Sequence, residues 1–231
     1  MNNYIKENFD AIAAQAREAA LRAGRPGDSV QVLAVSKTFP HEIVQLAIDG
    51  GIRLFGENRV QEAQQKIPLL HGDFAFHLIG HLQSNKAKQA VALFEMIHSI
   101  DSISILEKVN REAELIKKVQ KILIQVNTSG EQTKSGCEAD EAHDLCRAAL
   151  SMKNIDLQGL MTIGPLTDDK EAIRGAFAAL SSLAGVIRSE LSVSLPVISM
   201  GMSGDFLVAI EQGATMIRVG SAIFGRRSYQ G

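Results

Sequence analysis

Residues 30–58 read VQVLAVSKTFPHEIVQLAIDGGIRLFGEN. The first part, VQVLAVSK (30–37), is an apolar, β-branched run of strand length. HEIVQLAIDGG (41–51) follows, with Ile43, Val44, Leu46, Ala47 and Ile48 at helical spacing before a glycine stop. RLFGEN (53–58) then opens a second strand-like run. A strand, a helix and a strand in this order predict two parallel strands, because a parallel pair needs a crossover connection. Runs that are apolar throughout, rather than alternating, mark strands covered on both faces.

The same unit recurs outward from this stretch. Further strand-like runs are AFHLIG (75–80), MIHSID (96–101), KILIQVN (121–127), LQGLMTIG (157–164), PVISMGM (196–202) and MIRVGSAIFG (216–225), which makes eight. Helix-like segments lie between most of them: RVQEAQQKIPLL, SISILEKVNREAELIKKV with Ser102 or Ser104 as N-cap, EADEAHDLCRAALSM, DDKEAIRGAFAALSSLAGVIRSEL and SGDFLVAIEQGA. A further helix over about 3–23 precedes the first strand and ends at Gly24. Eight β–α repeats in 231 residues predict an α/β fold, a single (β/α)8 barrel of the TIM type. The competing architecture, an open doubly wound sheet, is weakened because no GxGxxG follows the first strand. We expect one domain over 1–231, with the extra N-terminal helix in 1–24 and the barrel in 30–225.

Composition narrows the function. The net charge is −2, which offers no basic excess for a nucleic-acid surface. The start, MNNYIKENFD, has no apolar core of a secretory signal, and no apolar run reaches the ~18 residues that span a bilayer. Cys137 and Cys146 match no zinc or redox spacing and read as free thiols of a cytoplasmic protein. No exposed apolar helix face demands a partner, so a monomer is expected.

Barrel chemistry sits at the C-terminal ends of the strands. Those ends carry Lys37, Glu57 with Asn58, His81, Asp101, Asn127, Thr162, Ser203, and Arg218 with Ser221. Lys37 closes an apolar strand on the face of Leu33 and Val35. Partial withdrawal from water there lowers a lysine's pKa and frees its amine as a nucleophile for an aldehyde; the plainer reading is a lysine that snorkels to solvent. Arg218 lies inside the apolar MIRVG and needs acceptors, either an acid such as Asp101 or Glu57, or a ligand. SMGMSGDF (199–206) and RVGSAIFG (218–225) put Ser203, Gly204, Gly220 and Ser221 after the seventh and eighth strands, the usual phosphate position of such barrels. Either segment alone would pass as an ordinary turn. His77 and His81 straddle a strand and its loop without an HExxH, so we expect no metal site and read His77 as a packed, hydrogen-bonded residue.

LAVSKTFP, FGENRVQEA, FHLIGHLQSNKAK, HSIDS, NTSGEQTKSGCE, GLMTIG, SMGMSGDF and MIRVGSAIFG resemble, in order from about residue 30 to 225, the pyridoxal phosphate homeostasis protein family. That family is similar to the N-terminal barrel of alanine racemases, the fold-type III barrel for pyridoxal 5′-phosphate (PLP). The resemblance implies that Lys37 holds PLP as a Schiff base and that Arg218 faces the pyridine nitrogen. It implies that Ser203, Gly220 and Ser221 hold the phosphate, and that Asn58 lines the pocket. Position 59 is Arg, where some relatives carry Tyr.

The resemblance leaves two activities to weigh. One is a PLP-binding protein of intracellular vitamin B6 homeostasis, with no catalytic residues, that passes PLP to apo-enzymes. The alternative is a racemase or lyase of the alanine racemase type. Three expectations favour the first. An arginine opposite the pyridine nitrogen disfavours its protonation and weakens the electron sink. The tyrosines, Tyr4 and Tyr229, are not at rim positions. The chain ends just past the eighth strand, so no closing domain is expected. Lys134, in the loop after the fifth strand, reads as a solvated lysine, with a role in PLP transfer as the bolder alternative.

Overall fold

The computed structural model describes residues 4–129 and 135–225. Eight strands, β1 (Gln31–Val35), β2 (Leu54–Glu57), β3 (Ala75–Leu78), β4 (Met96–Ile100), β5 (Gln120–Gln125), β6 (Ile155–Met161), β7 (Val197–Ser199) and β8 (Met216–Val219), close in sequence order into a parallel barrel. The seam is sound: β8 pairs with β1 from Gln31↔Met216 through Ala34↔Val219.

Around it lie α1 (Tyr4–Arg22), α2 (His41–Asp49), α3 (Val60–Lys66), α4 (Ala87–Leu93), α5 (Ile103–Leu115), α6 (Ala139–Leu150), α7 (Lys170–Leu191), α8 (Phe206–Glu211) and α9 (Ser221–Phe224). The extra helix α1 buries Ile5, Ile12, Ala16, Ala19 and Ala20, a stripe at helical spacing whose alanines permit close approach. It packs on α8 and α9, and Asn8 Nδ2 donates to Ile223 O at 2.9 Å. Helix α7, the longest, begins at Asp169, whose carboxylate accepts the N–H groups of Glu171 and Ala172. Ser102 holds the N-cap position of α5 without a side-chain capping bond.

Two expectations need correction. The run 216–225 is not one strand: β8 stops at Val219 and residues 221–224 turn into α9. Apolar Ala222, Ile223 and Phe224 continue the hydrophobicity of the strand, but it is Ile223 and Phe224 on a helix that bury it. Between β3 and β4, where the sequence suggested no helix, a 3-10 turn over Ser84–Lys86 leads into α4, which buries Ala87, Ala90 and Val91.

The barrel interior holds two apolar clusters, one of Leu33, Val35, Ile79 and Met216, the other of Met96, Leu123 and Met161. Glycine permits one close approach in the wall: a Cβ on Gly159 would lie 1.8 Å from Val197 O, across the β6–β7 pair. No helix among the described residues is long and apolar enough to cross a membrane.

Candidate functional site

A cavity of about 550 Å³ opens at the C-terminal ends of the strands, within the ~300–1,000 Å³ usual for small-ligand sites. The six residues that the resemblance assigns to the cofactor line it: Lys37, Asn58, Ser203, Arg218, Gly220 and Ser221. Of the other strand-end residues His81 and Gly204 join them, while Glu57, Asp101, Asn127 and Thr162 are not part of the lining. Val35, Phe39, Ile79 and Ile163 supply apolar wall.

Lys37 stands two residues past β1 and is half-buried. The next residue, Thr38, has φ +70°, a left-handed conformation uncommon for a non-glycine residue. The chain therefore turns sharply just after the lysine. A buried polar cluster braces that turn from outside the barrel. Lys66 Nζ, on α3, donates to Ser36 O at 3.0 Å, Glu57 Oε1 at 2.6 Å and Glu62 Oε1 at 3.0 Å. Ser36 Oγ donates to the same Glu57 oxygen at 2.7 Å, and the Thr38 N–H donates to Glu62. Burial pushes the Glu57 carboxyl up, while Lys66 pulls it back toward the charged form.

Arg218 comes from β8 and is buried, with donors directed at neutral oxygens. Nη1 reaches Ser199 Oγ and Nη2 reaches Thr162 O, both at 2.8 Å. The acids expected as alternative partners are engaged elsewhere: Glu57 with Lys66, and Asp101 with His81 at 3.5 Å. Burial lowers the Arg218 pKa to about 10, with Asp205 opposing, so the guanidinium stays charged at neutral pH.

The loops after β7 and β8 meet at the cavity, where Ser221 Oγ donates to Ser203 Oγ at 3.2 Å. Gly204 has open space where a side chain would start. At Gly220 a Cβ would come 3.2 Å from Val35 O, so the glycine lets the end of β8 lie close on β1. Asn58 is set by a similar approach: a Cβ on Gly80 would lie 2.2 Å from Asn58 O. Arg59 is not part of this cavity's lining and flanks a neighbouring cavity with Asn58 and His81.

The donor set suits one ligand chemistry. A half-buried amine reacts with an aldehyde, two hydroxyls at glycine-containing loops suit a phosphate, and a cation with only donors suits a ring nitrogen or an anion.

Several residues here escaped the sequence reading. Lys66 resembles an ordinary surface partner of Glu62 one helical turn away. Ser199 and His98 are interior side chains that only closure of the barrel brings to Arg218. His77 is packed and hydrogen-bonded, as read, with Nδ1 3.0 Å from His98 Nε2. Among the described residues no cluster of three or more His, Cys, Asp or Glu is placed to hold a metal ion. Lys134 and Tyr229 lie outside the described residues.

The family described as alanine racemase, N-terminal domain, matches residues 8–228. The pyridoxal phosphate homeostasis protein of Vibrio cholerae serotype O1 is 41% identical over 97% of this chain and 97% of its own length. That of Synechocystis sp. is 43% identical over 86% of this chain and 92% of its own. Among solved structures, PipY of Synechococcus elongatus with PLP bound superposes with a TM-score of 0.79 at 35% identity, covering 91% of this chain and 99% of that one. An alanine racemase of Clostridium difficile, 15% identical, shares the fold with a TM-score of 0.77 over 99% of this chain and 58% of its own length. With matches of this extent, the chain belongs to the alanine racemase N-terminal domain family and, within it, to the pyridoxal phosphate homeostasis proteins.

Proposed function

We propose that this protein binds pyridoxal 5′-phosphate and serves its homeostasis, holding the cofactor on Lys37 without turning over a substrate. The observation that carries the reading is the meeting of Lys37, Arg218 and the Ser203–Ser221 pair around one cavity. Lys37 would hold the aldehyde carbon through its amine. Ser203 and Ser221, with the backbone around Gly204 and Gly220, would hold the phosphate, and Asn58 would close the wall beside them. Arg218 would present an N–H to the ring nitrogen and keep a proton off it. When bound, the cofactor supplies an electrophilic carbon that amines capture reversibly, which suits storage and transfer to apo-enzymes.

The protein's own residues give racemisation little support. Tyr4 sits on α1, half-exposed. A donor that keeps the ring nitrogen unprotonated weakens the electron sink that carbanion chemistry needs. The buried free thiols Cys137 and Cys146 fit a reducing cytoplasm. We further propose a monomer whose recipients are apo-enzymes that use PLP.

The test is a titration with PLP followed by borohydride and peptide mapping. A pyridoxyl group on Lys37, absent in Lys37→Ala, is expected. Trapping elsewhere, or an unchanged visible chromophore in Lys37→Ala, overturns the assignment. Exchange of amino-acid α-protons with deuterium at enzymic rates would favour the racemase or lyase alternative.

A further inference from the structure

Four side chains form a continuous polar line through the barrel interior. Arg218 Nη1 donates to Ser199 Oγ at 2.8 Å. Ser199 Oγ lies 3.2 Å from His98 Nδ1, and His98 Nε2 lies 3.0 Å from His77 Nδ1. All four are buried. The line starts at the candidate site and ends at the opposite mouth, where His77 lines a second cavity of about 440 Å³ beside Glu95 and Lys121. Interior barrel positions are usually filled by branched apolar side chains, so such a line carries a desolvation cost unless each member is satisfied.

Elementary donor counting gives the line a direction. Arg218 can only donate. It occupies a lone pair of Ser199, whose own proton is then free to point at His98 Nδ1. For that serine proton to have an acceptor in the line, His98 carries its own proton on Nε2 and gives it to His77 Nδ1, which leaves the His77 proton on Nε2. Each of the three hydrogen bonds then has one donor and one acceptor, with both imidazoles neutral.

Burial supports that neutrality. It lowers the His77 pKa to about 4, against the pull of Glu95 and with a push from Lys121. It holds His98 well below the ordinary histidine value, and His77 and Arg218 add to the effect. Glu95, Lys121 and Arg218 are thus the charged groups that act on the two rings; Lys118 points its ammonium at Val91 O and Phe94 O instead.

We infer that His98, acting through Ser199, is a positioning residue for Arg218. Nε2-protonated His98 draws the Ser199 proton toward itself and so keeps a Ser199 lone pair aimed at the guanidinium. With the opposite tautomer, His98 Nδ1–H would take the second lone pair of Ser199, and the serine proton would have no acceptor in the line, leaving the hydroxyl unanchored. An imidazolium would add a second cation against Arg218. The consequence for the cofactor's ring rests on the site being the PLP site proposed above; the direction of the line does not.

Two measurements test the proposal. The first uses the protein without added PLP, labelled with ¹⁵N-histidine, with resonances assigned through His98→Asn and His77→Asn. Both rings are expected as neutral Nε2–H tautomers at pH 7. An Nδ1–H tautomer or a charged ring at His98 overturns the proposal.

The second loads PLP and compares Ser199→Ala, His98→Leu and His98→Asn. Asn Oδ1 can accept from Ser199 in place of Nδ1, whereas Leu cannot. Ser199→Ala and His98→Leu are expected to weaken PLP binding on the order of tenfold and to move the visible absorbance maximum. His98→Asn should restore both. Wild-type affinity and absorbance in Ser199→Ala overturn the idea even if His98→Leu does not fold. If the wild type itself traps no pyridoxyl group on Lys37, the cofactor assignment fails, while the tautomer measurement still decides the direction of the line.

Discussion

Lys66 Nζ lies 2.6 Å from Glu57 Oε1, and both side chains are withdrawn from water, with relative exposures of 5% and 0%. The pair joins α3 to the end of β2 and, through Ser36, to the turn that presents Lys37.

Removing one member of this pair strands the other as a buried charge. Lys66→Met is therefore expected to destabilise the protein by about 3–5 kcal/mol. A double variant, Lys66→Met with Glu57→Leu, should recover much of that loss. Urea unfolding of the two variants provides the comparison, and equal destabilisation by both would contradict it.

His77 sets an acid dependence. Its folded pKa of about 4 lies below the unfolded value near 6.5, so the unfolded chain binds the extra proton first as pH falls. Its contribution to stability is complete above about pH 6.5 and is lost between there and pH 4, on the order of 3 kcal/mol in all. His77→Asn keeps an acceptor in place of Nδ1 and should flatten the slope of unfolding free energy over that window. A wild-type slope in the variant would show that another group carries it.

The paired hydroxyls predict selectivity for the phosphate. Ser203→Ala and Ser221→Ala should each weaken PLP binding by about tenfold or more, the usual effect of a lost hydrogen bond to a charged group. Affinity for pyridoxal, which lacks the phosphate, should stay within about twofold. Equilibrium titrations with both ligands decide it, and parallel losses would move the phosphate elsewhere.

Cys137 and Cys146 are expected to resist thiol reagents in the native state. Burial raises both pKa values to about 12, so almost no thiolate exists at pH 8. Labelling should follow unfolding, rising with urea in step with the loss of secondary structure. Fast labelling without denaturant would count against the packing around either thiol.

The barrel was legible because its strands are buried on both faces. VQVLAVSK and KILIQVN admit few other readings, and both contain strands at the expected places. The cavity residues were legible because strand ends gather in this architecture, so the order of the strands alone brings Lys37 and Arg218 to one mouth. Where the sequence failed, the cause was local ambiguity. Ala222–Phe224 is as apolar as a strand, and only the turn at Gly220 makes it a helix. The short helix Ala87–Leu93 has too few turns to show a period. Lys66 and His98 were opaque for a different reason: their partners Glu57 and Ser199 are distant in sequence, and only tertiary closure shows which way the side chains turn.

The seam between the first and last strands has a kinetic meaning. Leu33 pairs with Arg218 across it, so the amine and the guanidinium become neighbours only when the two ends of the barrel join. The groups that brace the lysine turn, Ser36, Glu57 and Lys66, all lie in the first third of the chain, whereas Arg218, Gly220 and Ser221 come with its last β–α unit. A polypeptide still emerging from the ribosome would therefore have no complete grip for the vitamin until that unit arrives. Capture of the ligand would thus report completed synthesis, and chains cut short before that unit would not sequester the cell's supply.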